Sequence, residues 1–191
     1  MVQNTENQVT GQQEKNKDNK KNSIKEWVIL VVIFAFLVFI IPNYIMQRTY
    51  VDGQSMENTL HGGEYVIREK VTNYFSNPER FDIIVFYSAV LEKDCIKRVI
   101  GLPGETVQII ENDIYINDKK LDENYGKDPI SDPGIAIDPI TLGEDEYFVL
   151  GDNREESLDS RAEGIGPVKK EDMDGRALLR IWPLSKLGTV N

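Results

Sequence analysis

Ser55 and Lys97 are the two residues whose types could combine into a reaction centre. Ser55 lies in VDGQSMENTLHGGE, residues 51–64, just after Gly53, a residue that permits close backbone approach. A serine hydroxyl is a weak nucleophile until a neighbouring base takes its proton. Lys97, in CIKRVIG, could be that base. Burial disfavours an ammonium and lowers its pKa, by up to ~3–5 units when complete, and a neutral amine accepts a proton. Arg98 cannot play the part, because a guanidinium stays charged. Spacing alone does not decide, since the two residues stand 42 positions apart. Ser55 equally reads as a turn residue, and Lys97 as a residue on an edge strand or a surface-facing side. A third stretch, GDNREESLDSR at residues 151–161, sets serines and arginines among acids directly behind the apolar YFVL. It reads either as a solvated loop or as a further part of the centre.

Other chemistries find less support. A serine–histidine triad would have to use His61, the only histidine, which reads as a loop residue. Cys95, the only cysteine, reads as a small buried hydrophobe and cannot form an intramolecular disulfide. No Cys/His cluster has metal-ligand spacing, and nothing calls for a cofactor. The net charge is −10, and it is uneven. From Gln47 onward there are 17 basic and 28 acidic residues, against 5 and 4 before it. An acidic body of this kind argues against a nucleic-acid partner.

The elements that must position these residues are mostly strands. FDIIVFY (81–87), CIKRVI (95–100), YFVL (147–150) and GRALLRIWPL (175–184) are short apolar runs with strand character. Within CIKRVI, alternation puts Lys97 with Cys95 and Val99, and Arg98 with Ile96 and Ile100. TVQIIENDIYINDKKLDE predicts consecutive hairpins turning near Asn112-Asp113 and Asn117-Asp118. Residues 122–145 are rich in Pro, Gly and Asp and predict an irregular insertion.

Ahead of these strands stands WVILVVIFAFLVFII, uninterrupted apolar sequence from 27 to 41. With PNYIM it reaches the ~20 residues that span a bilayer's hydrocarbon core. It shows no polar face, as a core helix would, and no small-x-small cleavage site follows. Lys15, Lys17, Lys20, Lys21 and Lys25 precede it, while only Arg48 follows closely. The positive-inside rule then places the N-terminus in the cytoplasm. The expected organisation is a disordered tail at 1–22, an anchor at 23–46 and an extracytoplasmic domain at 47–191, with an inserted subdomain at about 105–145. An apolar patch around Met56 and Leu60 could either rest on lipid or pack in the core.

SMENTL, YVIREK, FDIIVFY, KRVIGLPGE and GDNREESLDSR resemble, in that order, the boxes of bacterial type I signal peptidases. The likeness runs over nearly everything after residue 25 and is similar to the compact, single-anchor form of Gram-positive bacteria. It implies a mainly β fold: an N-terminal transmembrane helix, then an antiparallel β-sheet catalytic domain with a β-hairpin-containing insertion. It implies a serine endopeptidase of the plasma membrane that removes signal peptides from exported preproteins, working beside membrane lipid and the export machinery. Ser55 matches the nucleophile, and its backbone N–H an oxyanion donor. Lys97 matches the general base, and Ser157 a serine whose hydroxyl orients the lysine amine. Asp159 and Arg161 match a supporting ion pair, and Asp152 a nearby structural acid. Two departures stand out: Asn58 occupies the place of the family's usual proline, and Gly53 the place where many relatives carry an oxyanion-hole serine. The alternatives are a catalytically silent membrane-tethered binding or scaffold relative, and a self-cleaving regulator, whose DNA-binding module residues 1–22 could not supply.

Overall fold

A computed structural model describes residues 24–71 and 75–190. The expectation of a disordered tail at 1–22 lies outside the described residues. The chain divides into two units, the first ending at Asn43 and the second beginning at Tyr44.

The described part of the first unit is helical. Ile24–Ile45 forms one helix of 22 residues, long and apolar enough to cross a membrane. Its end, Phe36–Ile45, is wound as a π-helix, and the Asn43 side-chain amide donates to the Phe39 carbonyl at 2.7 Å. Trp27, Phe34 and Phe39 are exposed along it.

The second unit is built from antiparallel sheet. Its strands are β1 (Met46–Tyr50), β2 (Tyr65–Glu69), β3 (Ile83–Ser88), β4 (Lys93–Gly101), β5 (Thr106–Ile110), β6 (Asp113–Ile116), β7 (Lys119–Lys120), β8 (Ile140–Thr141), β9 (Glu146–Leu150), β10 (Val168–Lys169), β11 (Met173–Trp182) and β12 (Gly188–Thr189). The larger sheet runs β1-β2-β11-β3-β4-β9-β10, with β12 added to β11. The smaller runs β7-β6-β5-β8 and comprises the inserted hairpins. Asn117 and Asp118 both adopt positive φ, as a type I′ turn requires of its central pair. β1 was not anticipated, because MQRTY has no apolar alternation; it is strand because it pairs with β2 from Met46↔Glu69 to Tyr50↔Tyr65.

Alternation decides what each strand buries. Ile83 and Val85 of β3 join Ile96, Val66 and Ala177 on one face of the large sheet. Ile84 and Phe86 join Cys95, Val99, Tyr147 and Val149 on the other. A third cluster joins Ile100, Phe148 and Leu150 to Val107, Ile109 and Ile114 of the small sheet. β4 therefore runs through the interior, and every residue from Cys95 to Gly101 is buried. Lys97 thus sits on a central strand, paired with Ile84 of β3, and not on an edge. Met56 and Leu60 are 2% and 0% exposed within the first of these clusters. Core packing, not contact with lipid, is their role: a wholly buried side chain has no surface left to offer a bilayer.

Candidate active site

The loop after β1 is drawn closed at its base by Val51 N–H to the Glu64 carbonyl (2.9 Å) and Gly63 N–H to the Val51 carbonyl (3.0 Å). Inside it, Leu60 N–H donates to the Met56 carbonyl at 2.8 Å, and both side chains are pinned in the core. Gly53 turns the chain at φ 92, a conformation that side chains rarely adopt. These constraints leave Ser55 at the head of the loop, facing β4. Lys97 Nζ lies 2.7 Å from Ser55 Oγ, within hydrogen-bond distance.

Lys97 is 4% exposed and forms no ion pair among the described residues. Burial, the largest influence, pushes its pKa below the ordinary lysine range, while the nearby Asp159 charge works in the opposite direction. The amine is thus dry and biased toward neutrality, in contact with a hydroxyl. Burial pushes the Cys95 thiol the other way, up, which keeps it protonated. His61 lies apart from the cleft lining, with Nδ1 3.8 Å from Glu64 Oε1.

The stretch from Gly151 to Arg161 closes over the same place. Asn153 N–H donates to the Ser55 carbonyl at 3.0 Å. A Cβ at Gly151 would collide with that same carbonyl oxygen and with Ser157 Oγ, so only glycine lets this backbone approach the serine loop. Asp159 accepts from the Gly151 N–H at 3.0 Å and takes a two-pronged bond from Arg161, Nε to Oδ1 at 2.8 Å and Nη2 to Oδ2 at 2.9 Å. Arg161 also donates to the carbonyls of Arg154 and Ser157, which fixes the curvature of the loop. The Ser157 hydroxyl, expected to bond the lysine amine, is buried and has no hydrogen-bond partner among the described residues. It packs against Gly151 instead.

Asp152 meets Arg98. Nε to Oδ1 is 2.9 Å and Nη2 to Oδ2 is 2.7 Å, with both side chains wholly buried. Thr59 Oγ1 donates to Asp152 Oδ2 at 2.5 Å, and Arg98 Nη1 donates to the Phe81 carbonyl at 2.9 Å. One buried ion pair therefore joins the strand of Lys97, the loop of Ser55 and the loop of Ser157. Arg98 is covered by the Tyr125 ring, 3.7 Å from its guanidinium carbon. Sequence reasoning gave Arg98, Thr59 and Tyr125 no part in the site. The missed signal was opposite charges lodged in two apolar runs, IKRVIG and YFVLGDN, which implies partners for each other.

The irregular segment after β7 forms a strap along the back of the site. Glu123 pairs with Arg154 at 2.8 Å, and Lys127 N–H donates to the Asp152 carbonyl at 2.7 Å. Lys127 Nζ reaches Glu57 at 3.1 Å, two residues beyond Ser55. Ser131 bonds Glu155 through both N–H and hydroxyl, and Ile135 N–H donates to the Arg161 carbonyl at 2.9 Å. The Glu57-Asn58 peptide within the serine loop is cis.

In front of Ser55 and Lys97 opens a cleft of about 250 Å³, walled by residues 50–56 and 93–97 and bounded by Leu91, Glu156 and Leu158. Among the described residues, no group of three or more His, Cys, Asp or Glu side chains could hold a metal ion.

An antiparallel β domain that holds a serine–lysine contact in an open cleft has the makings of a serine hydrolase, and the helix ahead of it is long and apolar enough to cross a membrane. A family model described as "Signal peptidase, peptidase S26" matches residues 24–182. Signal peptidase I of Bacillus licheniformis is 34% identical over 181 residues, covering 91% of this chain and 97% of the relative. Signal peptidase I S of Bacillus subtilis strain 168 is 35% identical over 184 residues, with the same coverage of both chains. The solved signal peptidase I of Enterococcus faecalis V583 is 37% identical and covers 53% of this chain and 97% of its own, at a TM-score of 0.44. The chain belongs to the signal peptidase family, peptidase S26.

Proposed function

We propose that this chain is a membrane-anchored serine endopeptidase that removes signal peptides from exported preproteins, with Ser55 as nucleophile and Lys97 as general base. The observation that carries the reading is the 2.7 Å separation of Ser55 Oγ from the buried Lys97 Nζ. The neutral amine accepts the Ser55 proton as the oxygen attacks the scissile carbonyl. The tetrahedral intermediate collapses to an acyl-enzyme, and the lysine ammonium returns its proton to the leaving amine. Lys97 then deprotonates water, which releases the new carboxylate and restores Ser55.

The Ser55 N–H has no acceptor among the described residues and is free to stabilise the oxyanion. Asp152 ties the loop 151–161 to Thr59 of the serine loop and to Arg98 of β4, Asp159 and Arg161 hold the curvature of the loop 151–161 itself, and Ser157 sits close enough to Ser55 to line the lysine's surroundings. The substrate lies extended between the two cleft walls, held by main-chain bonds, and the modest volume suits small side chains before the cut. The helix Ile24–Ile45 anchors the enzyme, and the lysines ahead of it place the N-terminus in the cytoplasm and the catalytic unit outside, beside the lipid and the export machinery that delivers precursors.

The test is incubation of the detergent-solubilised chain with a precursor, followed by N-terminal sequencing of the product. Cleavage at the signal-peptide junction is expected, and Ser55→Ala and Lys97→Ala should each abolish it while the fold survives. Near-normal processing by either variant refutes the assignment of that residue.

A further inference from the structure

The cleft is lined by four charged side chains besides Lys97: Asp52, Lys93, Asp94 and Glu156. Three of them are compensated. Asp52 stands 3.8 Å from Lys93, and Asp94 receives Arg68 at 2.9 Å. Glu155, the neighbour of Glu156, is held by Ser131. Glu156 alone of the cleft carboxylates has neither an ion pair nor a hydrogen bond among the described residues, and it is exposed.

Its place in the cleft is set by the connections already described. The walls 50–55 and 93–97 both run toward the Ser55–Lys97 contact. The loop that carries Glu156 meets Ser55 at that end, through Asn153 N–H and the close approach of Gly151. Glu156 and the exposed Leu158 complete the lining of the cleft beside these two walls, and a peptide laid along the walls with its scissile carbonyl at Ser55 would send the residues beyond the cut past them. On the proposed peptidase reading, we infer that Glu156 reads the charge of the first residues of the mature chain, favouring precursors with a basic residue just after the cut and disfavouring those with an acidic one.

Water-like screening keeps the effect moderate. Unit charges roughly 6 Å apart in water change a rate about threefold in each direction. A lysine-for-glutamate exchange in the substrate therefore spans roughly tenfold in kcat/KM at low ionic strength.

The experiment uses the full chain in detergent and three matched precursors carrying Lys, Gln or Glu at the second residue after the cut. The parent should process the Lys precursor roughly tenfold faster than the Glu precursor at low salt. Glu156→Gln should collapse that ratio toward one, and Glu156→Lys should invert it. Independently of any variant, 1 M KCl should flatten the parent's ratio, because the Debye length falls to about 3 Å. A companion pair with Lys or Glu placed well before the cut should show a ratio that Glu156→Gln does not move. An unchanged Lys:Glu ratio in Glu156→Gln, or one that survives 1 M KCl in the parent, overturns the inference while leaving the peptidase reading intact. A parent that cuts none of the precursors overturns the peptidase reading itself.

Discussion

Replacing Asp152 with alanine strands the Arg98 guanidinium. That side chain is wholly buried, as is its partner, and the replacement removes both carboxylate bonds at 2.7 and 2.9 Å. The Phe81 carbonyl and Thr59 hydroxyl remain, but neither carries charge. Breaking a buried pair from one side costs about 3–5 kcal/mol, because the survivor is desolvated without compensation. For a chain of this size each kcal/mol shifts the melting midpoint by about 2–4 °C, so a fall of roughly 6–20 °C is expected. Asp152→Asn keeps the shape and one acceptor and should fall less. Arg98→Met combined with Asp152→Leu removes both charges and fills the space, and should recover most of the loss. Scanning calorimetry of the detergent-solubilised chain measures all three. As a control, Asp113→Asn breaks an exposed pair with Lys120 and should shift nothing measurable. An Asp152→Ala midpoint within 2 °C of the parent, or a double variant as unstable as the single, would refute the argument from stranded charge.

Cleavage should rise with pH through a pKa lower than that of free lysine, since burial depresses Lys97 and only the neutral amine is a base; a profile with no such limb counts against it. The same depression carries a stability signature. The unfolded chain binds more protons than the folded one between the two pKa values, so stability rises with pH there. Lys97→Met should accordingly raise the melting midpoint at neutral pH, and its advantage should fade as pH passes the ordinary lysine value of about 10.4. Gly151→Ala should cut kcat more than tenfold with a folded far-UV spectrum, because the added carbon displaces Ser55 and Ser157; unaltered kcat would contradict the close approach. Lys127→Met and Glu57→Gln should each lower kcat a fewfold with KM unchanged, and a double-mutant cycle should find the two effects non-additive.

The strands that carry the site were readable because their apolar runs are short and bounded by turns, and the inserted hairpins because Asn117 and Asp118 accept the positive φ of a tight turn. Lys97 was readable only in part. Composition favoured an exposed lysine, and what reverses that is the position of β4 between β3 and β9, a property of topology that no local pattern encodes. β1 escaped notice for a related reason, since its strand character comes from pairing with β2 and not from its own residues. The family resemblance supplied candidates in the loop 151–161, yet not the partnership of Asp152 with Arg98, which spans 54 residues of sequence. Nor could spacing reveal that Ser157 packs on Gly151 and leaves the lysine to Ser55.

Much of the strap behind the site is fastened by main-chain groups: Lys127 N–H on the Asp152 carbonyl, Ile135 N–H on the Arg161 carbonyl, and the Asp132 carbonyl on Arg161. Such fastenings are indifferent to side-chain identity but not to residue count. The segment thus behaves as a ruler: apart from Glu123, Tyr125, Lys127, Ser131 and Gly134, whose own side chains or lack of one matter, its spelling counts for less than its length, and one inserted or lost residue would throw every later fastening out of step. Lengthening of the chain is better absorbed at the tips of the β5–β6 and β6–β7 hairpins, whose turns carry none of these ties.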